Sequence, residues 1–311
     1  MKPLSIVIIA SAAAWVALGQ GHATRSPFEG RWDLTIVTPK DTYPSWMEFR
    51  QEAGKPAVRV VGRVASVHPA TDVKIEDNRL TFATKEWFDG DKDVTWEFNA
   101  ADGKLTGTQK RPGAEGKITG VHAPALNRKP PDAWSDPEPL FDGKTLTGWK
   151  PDNPAKNNWK AINGELVNEA AGANIRTDRT FDDFKLHIEY SCPDKGNSGV
   201  YLRGRYEIQV EYEPPGTDDK LHAMGSIYGF IAPAKDLPRK PGEWESYDVT
   251  LVGRRVTVVR NDVTIIDNQE IPGITGGAID SNEGAPGPLL IQGDHTGGMK
   301  YRNIQISVPK K

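Results

Sequence analysis

The chain has 311 residues, enough for two domains, and a formal net charge of −3 that indicates neither a nucleic-acid partner nor an anionic membrane surface. Its single cysteine, Cys192, excludes an intramolecular disulfide and any CxxC metal or redox motif. Its 31 glycines and 24 prolines are typical of many short strands joined by tight turns.

The first residues predict a secretory signal peptide over 1–23. Lys2 precedes an apolar run from Leu4 to about Leu18, and small residues then lead to a cleavage point after Ala23. A membrane anchor is the alternative, but the apolar run is short for a spanning helix. We therefore expect no membrane span in the mature chain and a periplasmic or secreted location.

Residues 24–123 predict a small antiparallel β domain. Trp32, Leu34 and Ile36 alternate with polar neighbours, so one face of the sheet is expected to be buried. We expect the sheet to curl into a small barrel or half-barrel. The strand-like segments are "GRWDLTIV", "SWMEFRQ", "AVRVVGRVASV", "VKIEDNRLTFAT", "VTWEFNAADGKLTGTQK" and "GKITGVHA". No catalytic motif occurs among them.

Residues 124–139 are interpreted as a linker, because five prolines in sixteen residues are incompatible with a central strand or helix. A second domain is expected over 140–309. Strand-like segments with alternating faces follow one another there, and turn dipeptides such as "NG" separate them. About 170 residues of this kind predict two stacked sheets, that is, an all-β sandwich.

The stretch "NSGVYLRGRYEIQVEYEP" (197–214) predicts a hairpin with Gly204 near its turn. Alternation places Val200, Leu202, Ile208 and Val210 towards the core. The opposite face mixes aromatic, guanidinium, carboxylate and amide side chains: Tyr201, Arg203, Glu207, Gln209 and Glu211. A solvated outer face is the alternative. We favour a ligand site, because small polar residues, Asn197 and Ser198, precede this row and let a ligand approach the backbone.

Further candidate residues lie on turns. The glycine-punctuated loop 221–229 carries His222 and Tyr228, and the turn 291–298 carries Gln292, Asp294 and His295. An exposed turn histidine is the alternative for His295. Trp244, at the start of a predicted strand, could stack on a sugar face, although a core position is the more usual one.

The second domain resembles the 3-keto-disaccharide hydrolase domain family over about residues 138–309. The matching segments are "LFDGKTLTGW", "DFKLHIEY", "GNSGVYLRGRYEIQV", "GEWESYDV" and "GPLLIQGDHTGGMKYRNIQI". The resemblance implies a concanavalin A-like jelly-roll sandwich. It also implies an exported bacterial enzyme that acts on oxidised glycosides.

In glucanases of this shape, carboxylates at alternate strand positions line the concave sheet, and "EIQVE" resembles that pattern at Glu207, Gln209 and Glu211. Gln209 cannot ionise, which puts an ordinary two-carboxylate mechanism in doubt. Cleavage of a 3-keto-glycoside needs only a base for the C2 proton, a donor for the enolate oxygen and an acid for the leaving group. We assign the base to Glu207 or His295, and the oxyanion donor to Arg203, Arg205 or a bound divalent metal.

Two other functions remain open at this stage. A retaining β-glycanase would use Glu207 and Glu211 on unoxidised polysaccharide, and a non-catalytic carbohydrate-binding protein would use its aromatic side chains. A divalent metal is also open, because Glu207, His222, Asp294 and His295 are suitable ligand types that no spacing rule joins. In each case the expected partner is a carbohydrate. The side chains expected to contact it are Asn197, Ser198, Tyr201, Arg205, Gln209, Glu211, His222, Tyr228, Trp244, Gln292 and Asp294.

Overall fold

A computed structural model of the chain describes residues 26–62, 66–86, 92–212, 219–238 and 240–310. The predicted signal peptide, 1–23, lies outside the described residues. The described residues form 22 β-strands and a short 3-10 helix, Pro154–Lys156, so the all-β prediction is confirmed. None of their helices has the length and apolar character needed to cross a membrane.

Nine antiparallel strands form the first sheet, in the order β4-β3-β2-β1-β9-β8-β7-β6-β5. Trp32, Leu34 and Ile36 are fully buried on its inner face, as the alternation predicts. The sheet curls until β3 and β4 approach β5 and β6, which makes it a nearly closed barrel. The strands are β1 (Gly30–Val37), β2 (Thr42–Glu52), β3 (Lys55–Val61), β4 (Val67–Pro69), β5 (Thr71–Glu76), β6 (Arg79–Glu86), β7 (Lys92–Ala101), β8 (Lys104–Arg111) and β9 (Ala114–His122).

Two further sheets stack face to face as the predicted jelly-roll sandwich. One has the order β12-β13-β22-β15-β18-β19-β20, with β10 paired to β22, and the other has the order β11-β14-β21-β16-β17. The apolar core lies between them. The strands are β10 (Glu138–Pro139), β11 (Trp149–Pro151), β12 (Trp159–Ile162), β13 (Glu165–Asn168), β14 (Ile175–Thr177), β15 (Phe184–Ser191), β16 (Asn197–Leu202), β17 (Tyr206–Glu211), β18 (Trp244–Val252), β19 (Arg255–Arg260), β20 (Val263–Glu270), β21 (Leu290–Ile291) and β22 (Met299–Ser307).

The barrel packs directly against loops of the sandwich. The ring of Trp46 meets that of Phe230 edge-on, with centroids 5.3 Å apart, and Trp46 belongs to the apolar core of the sandwich. Ser66 Oγ and His222 Nε2 are 2.9 Å apart. The barrel therefore contacts the loop 221–231 of the sandwich through these two pairs of side chains. The domain boundaries proposed from the sequence remain a prediction.

A buried acidic pair also lies between the barrel and the sandwich. Asp33 of β1 is 4 % exposed, and Glu283 of the sandwich is fully enclosed. Glu283 accepts hydrogen bonds from Tyr206 Oη at 2.8 Å and from Arg254 Nη2 at 2.7 Å. Burial, followed by the charge of Glu283, raises the pKa of Asp33 far above its usual range. Asp33 is therefore protonated, and so uncharged, at neutral pH.

Candidate active site

The predicted hairpin is present in the smaller sheet of the sandwich. β16 and β17 pair with Tyr201 directly opposite Glu207, and Gly204 stands in the turn with φ of +65°. Alternation then sends one set of side chains into the core between the sheets. This set consists of Val200, Leu202, Ile208 and Val210, as predicted.

The polar face of β17 is enclosed rather than solvated. Glu207 is 4 % exposed and Gln209 is 1 % exposed. Neighbouring loops cover this edge strand, because the Glu207 N–H donates to Thr275 Oγ1 at 3.0 Å and its carbonyl accepts from the Tyr228 N–H at 3.1 Å. The loops carrying Tyr228 and Thr275 therefore form walls over a floor of buried polar side chains.

The carboxyl group of Glu207 accepts a hydrogen bond from Tyr201 and occupies the space that a side chain at position 199 would fill. The phenol of Tyr201 donates to Glu207 Oε2 at 2.8 Å. A Cβ atom at position 199 would overlap with Oε1 of Glu207. We expected the small residues of "NSG" to admit a ligand to the backbone; at position 199 the structure shows that the glycine makes room for the carboxyl group.

Burial raises the pKa of Glu207 to about 8, against the lowering effects of the Tyr201 hydrogen bond and the charge of His295. A carboxyl group with this pKa carries its proton at neutral pH. It is therefore suited to donate a proton to a substrate oxygen, in the manner of a general acid.

Asp294 and His295 face the same cavity from the turn after β21. His295 Nδ1 and Asp294 Oδ1 are 2.7 Å apart. This hydrogen bond raises the pKa of His295 above its usual value although burial opposes it, and the charge of Asp294 adds to the rise. The turn is itself anchored, because the Gly293 N–H donates to Asn174 Oδ1 at 2.9 Å. A histidine oriented by a carboxylate in this way can accept a proton through its other ring nitrogen.

These side chains enclose a cavity of about 130 Å³. This volume is smaller than the range of about 300–1,000 Å³ that is usual for sites of drug-sized ligands. The cavity is therefore of a size for part of a small polar molecule. Its lining consists of Asn174, Asn197, Tyr201, Glu207, Gln209, Tyr228, Gly276, Gly277, Gln292, Asp294 and His295.

The structure places the side chains of Arg203 and Arg205 away from the cavity. Arg203 has φ of +52° in the turn, which ends the strand alternation. Its guanidinium donates to Tyr206 Oη at 2.9 Å, on the face opposite Glu207. Arg205 is held by Asp280 at 2.8 Å. Neither arginine lines the cavity.

Four other predicted contact residues do not line the cavity. Ser198 is fully buried and bonds to the Gln292 carbonyl at 2.7 Å. Glu211 accepts a hydrogen bond from Gln209 Nε2 at 2.7 Å. His222 binds Asp219 and Ser66, and the ring of Trp244 stacks on Arg302 at 3.9 Å. The side chains of these four residues bind neighbouring residues of the protein and do not face the cavity.

Sequence reasoning missed Asn174, Gly276 and Gly277. The missed signal was the glycine pair in "GITGGAID", where a Cβ atom at Gly277 would overlap with the phenol of Tyr201. No local pattern identifies Asn174, which reaches the site through its bond to the distant Gly293.

The described residues contain no cluster of three or more His, Cys, Asp or Glu side chains placed to hold a metal ion. Of the four suggested ligands, Asp294 and His295 pair with each other, whereas His222 lies against the barrel. The suggested set therefore does not converge on one point.

The family model for the 3-keto-alpha-glucoside-1,2-lyase-like domain matches residues 136–307, which are 172 of the 311 residues. This range contains every residue that lines the cavity. No curated protein matches the chain significantly.

Three solved structures of candidate glycosyl hydrolases from Parabacteroides distasonis are similar to the chain. One is 27 % identical over 58 % of this chain and 92 % of its own, with a TM-score of 0.49. A second is 20 % identical over 55 % and 92 %, with a TM-score of 0.47. A third is 24 % identical over 55 % and 98 %, with a TM-score of 0.44.

Proposed function

This chain belongs to the 3-keto-alpha-glucoside-1,2-lyase-like domain family, and from that premise we propose that it cleaves the glycosidic bond of 3-keto-glycosides. The C3 ketone acidifies the proton on C2, and a base removes it to give an enolate. The enolate expels the leaving group from C1, whose oxygen takes a proton from an acid. Water then adds to the enone, with its hydroxyl at C1 and a proton at C2, so the net reaction is hydrolysis.

One observation carries this proposal: a carboxyl group with a raised pKa and a carboxylate-oriented histidine face the same small cavity. Glu207 then supplies the proton to the leaving oxygen. His295, held by Asp294, removes the C2 proton through Nε2. Asn197 and Tyr228 are lining residues that carry a side-chain donor, and we assign the binding of the enolate oxygen to them in place of the two arginines.

The retaining glycanase is disfavoured by the position of Glu211. Its carboxylate binds the amide of Gln209 and does not line the cavity, so it is not placed as the nucleophile that such a mechanism requires opposite Glu207. A carbohydrate-binding protein would gain nothing from a buried acid with a raised pKa. The chemistry of the site therefore favours the elimination route.

The test compares turnover of a 3-keto-glucoside, the unoxidised glucoside and laminarin. We expect cleavage of the keto sugar alone, and a loss of at least about 10²-fold in the Glu207→Gln variant. Glu243→Gln, at an exposed surface position, is the matched control and keeps full activity. Full turnover by Glu207→Gln would exclude the role of Glu207 as the acid, and failure of the wild type to cleave the keto sugar, or its cleavage of laminarin, would exclude the proposed function.

Export is part of the same proposal and is supported by the sequence of residues 1–23. We expect the mature protein in the periplasm or the medium, with its N-terminus at residue 24. Sequencing that N-terminus is the test, and an intact residue 1 in the cytoplasmic fraction would contradict it.

A further inference from the structure

Among the residues that the structure describes, two buried amide oxygens in the cavity wall have no hydrogen-bond donor. They are Oε1 of Gln209 and Oε1 of Gln292. The two side chains are 1 % and 9 % exposed, and both line the cavity. Buried carbonyl oxygens are nearly always paired in folded proteins, so two unpaired ones in one cavity indicate that a ligand supplies the donors.

The orientation of the Gln209 amide is determined by Glu211. Gln209 Nε2 donates to Glu211 Oε2 at 2.7 Å, and an ionised carboxylate can only accept. A flipped amide would place two acceptor oxygens against each other. The oxygen of Gln209 must therefore be the atom that is left for a ligand.

The two glutamines flank the same glycine. Gln209 pairs with Gly199 across the hairpin, and the Gln292 N–H donates to the Gly199 carbonyl at 2.9 Å from the other side. The main chains of Gln209 and Gln292 are therefore both held by Gly199, and the carboxyl group of Glu207 occupies the space beside that glycine. Each of the two glutamines therefore contributes one unpaired amide oxygen to the lining of the same cavity.

We propose that Gln209 and Gln292 are specificity-determining residues that accept hydrogen bonds from two hydroxyl groups of the bound sugar, and that Glu211 is the positioning residue for Gln209. The inference rests on the proposed function for the identity of the sugar: the hydroxyls are those that remain on the oxidised ring. A ligand without one of these donors leaves a buried carbonyl oxygen unpaired, so the site discriminates against it.

The test measures binding of methyl glucosides, in their unoxidised and 3-keto forms, and of their 2-deoxy, 4-deoxy and 6-deoxy analogues. We expect the wild type to bind two of the three deoxy analogues on the order of tenfold or more weakly than the parent sugar. Gln292→Leu should remove the preference for one hydroxyl. Glu211→Gln allows the Gln209 amide to flip, so it should weaken the preference for the other hydroxyl group, which Gln209 binds. Gln269→Leu, at an exposed position on β20, is the matched control and keeps both preferences.

The wild-type measurement does not depend on the folding of any variant. Its outcomes distinguish the proposed acceptor pair from the proposed reaction. Equal binding of all deoxy analogues, or no binding of any methyl glucoside, would overturn the acceptor pair. Preferences that survive intact in both folded variants would overturn it too. If the deoxy pattern appears but no keto sugar is cleaved, the acceptor pair stands and only the proposed reaction fails.

Discussion

Tyr201 and Glu207 face each other across the hairpin, and the phenol donates to the carboxyl group at 2.8 Å. This hydrogen bond is the largest of the effects that lower the pKa of Glu207, whereas burial raises it. In Tyr201→Phe we therefore expect the pKa of Glu207 to rise further, so that the alkaline limb of the pH–rate profile moves to higher pH. Tyr43→Phe in the barrel, which loses a comparable bond to Gln109, is the control and leaves the profile unchanged.

The wild-type pH dependence follows from the two proposed roles. The active form has a neutral His295 and a protonated Glu207. Turnover should therefore rise through the pKa of His295, which Asp294 holds above its usual value, and fall as Glu207 loses its proton at about pH 8. Initial rates across pH 5–10 are the measurement. A rate that continues to increase above about pH 9 would identify Glu207 as the base instead.

Gly199→Ala tests whether the carboxyl group needs the space beside it. The new Cβ atom would overlap with Glu207 Oε1 and displace it. We expect turnover to fall by about 10²-fold, because a displacement of about 1 Å can cost that much. Gly284→Ala is the control, because its new Cβ atom would make only ordinary contacts, with Pro124 at 3.8 Å and Asn282 at 4.0 Å. Equal turnover in both variants would contradict the packing argument.

Asp33→Asn tests the buried acid at the barrel interface. Asp33 has a raised pKa in the folded chain, whereas an unfolded aspartate ionises at about pH 3.9. From about pH 4 upwards the folded state binds a proton that the unfolded state has lost, so this group makes the free energy of unfolding decrease as the pH rises. The asparagine has no proton to lose. We expect the variant to melt at a higher temperature than the wild type, by a margin that grows between pH 5 and pH 8. A difference in melting temperature that stays constant between pH 5 and pH 8 would show that Asp33 is ionised in the folded protein.

The fragment 138–311 tests the contribution of the barrel. The Pro-rich segment suggests a fragment that folds alone and keeps the site, but Trp46 is part of the sandwich core and Ser66 supports the loop that carries Tyr228. We expect a lower melting temperature and reduced turnover, because the loop loses its support. The comparison is with the full chain in the same buffer. Equal values for both quantities would show that the barrel is not needed.

Much of this fold could be predicted because strand alternation is local. A period of two residues places Ile208 and Val210 in the core and Glu207 and Gln209 on the opposite face, and no distant contact changes that. The turn residue Gly204 and the inward stripe of β1 follow from the same short-range rules. The sequence by itself therefore determined the all-β class, the hairpin and the side of it that carries the cavity.

Only the tertiary structure decided which polar side chains meet. The side chain of Arg203 lies outside the site because its φ of +52° breaks the strand alternation. The side chain of Arg205 lies outside it because it binds Asp280, 75 residues away in the sequence. Asn174 and Gly277 reach the cavity from separate loops, and the raised pKa of Glu207 exists only because those loops exclude water. Burial and long-range pairing depend on how distant segments pack, and no local residue pattern encodes that packing.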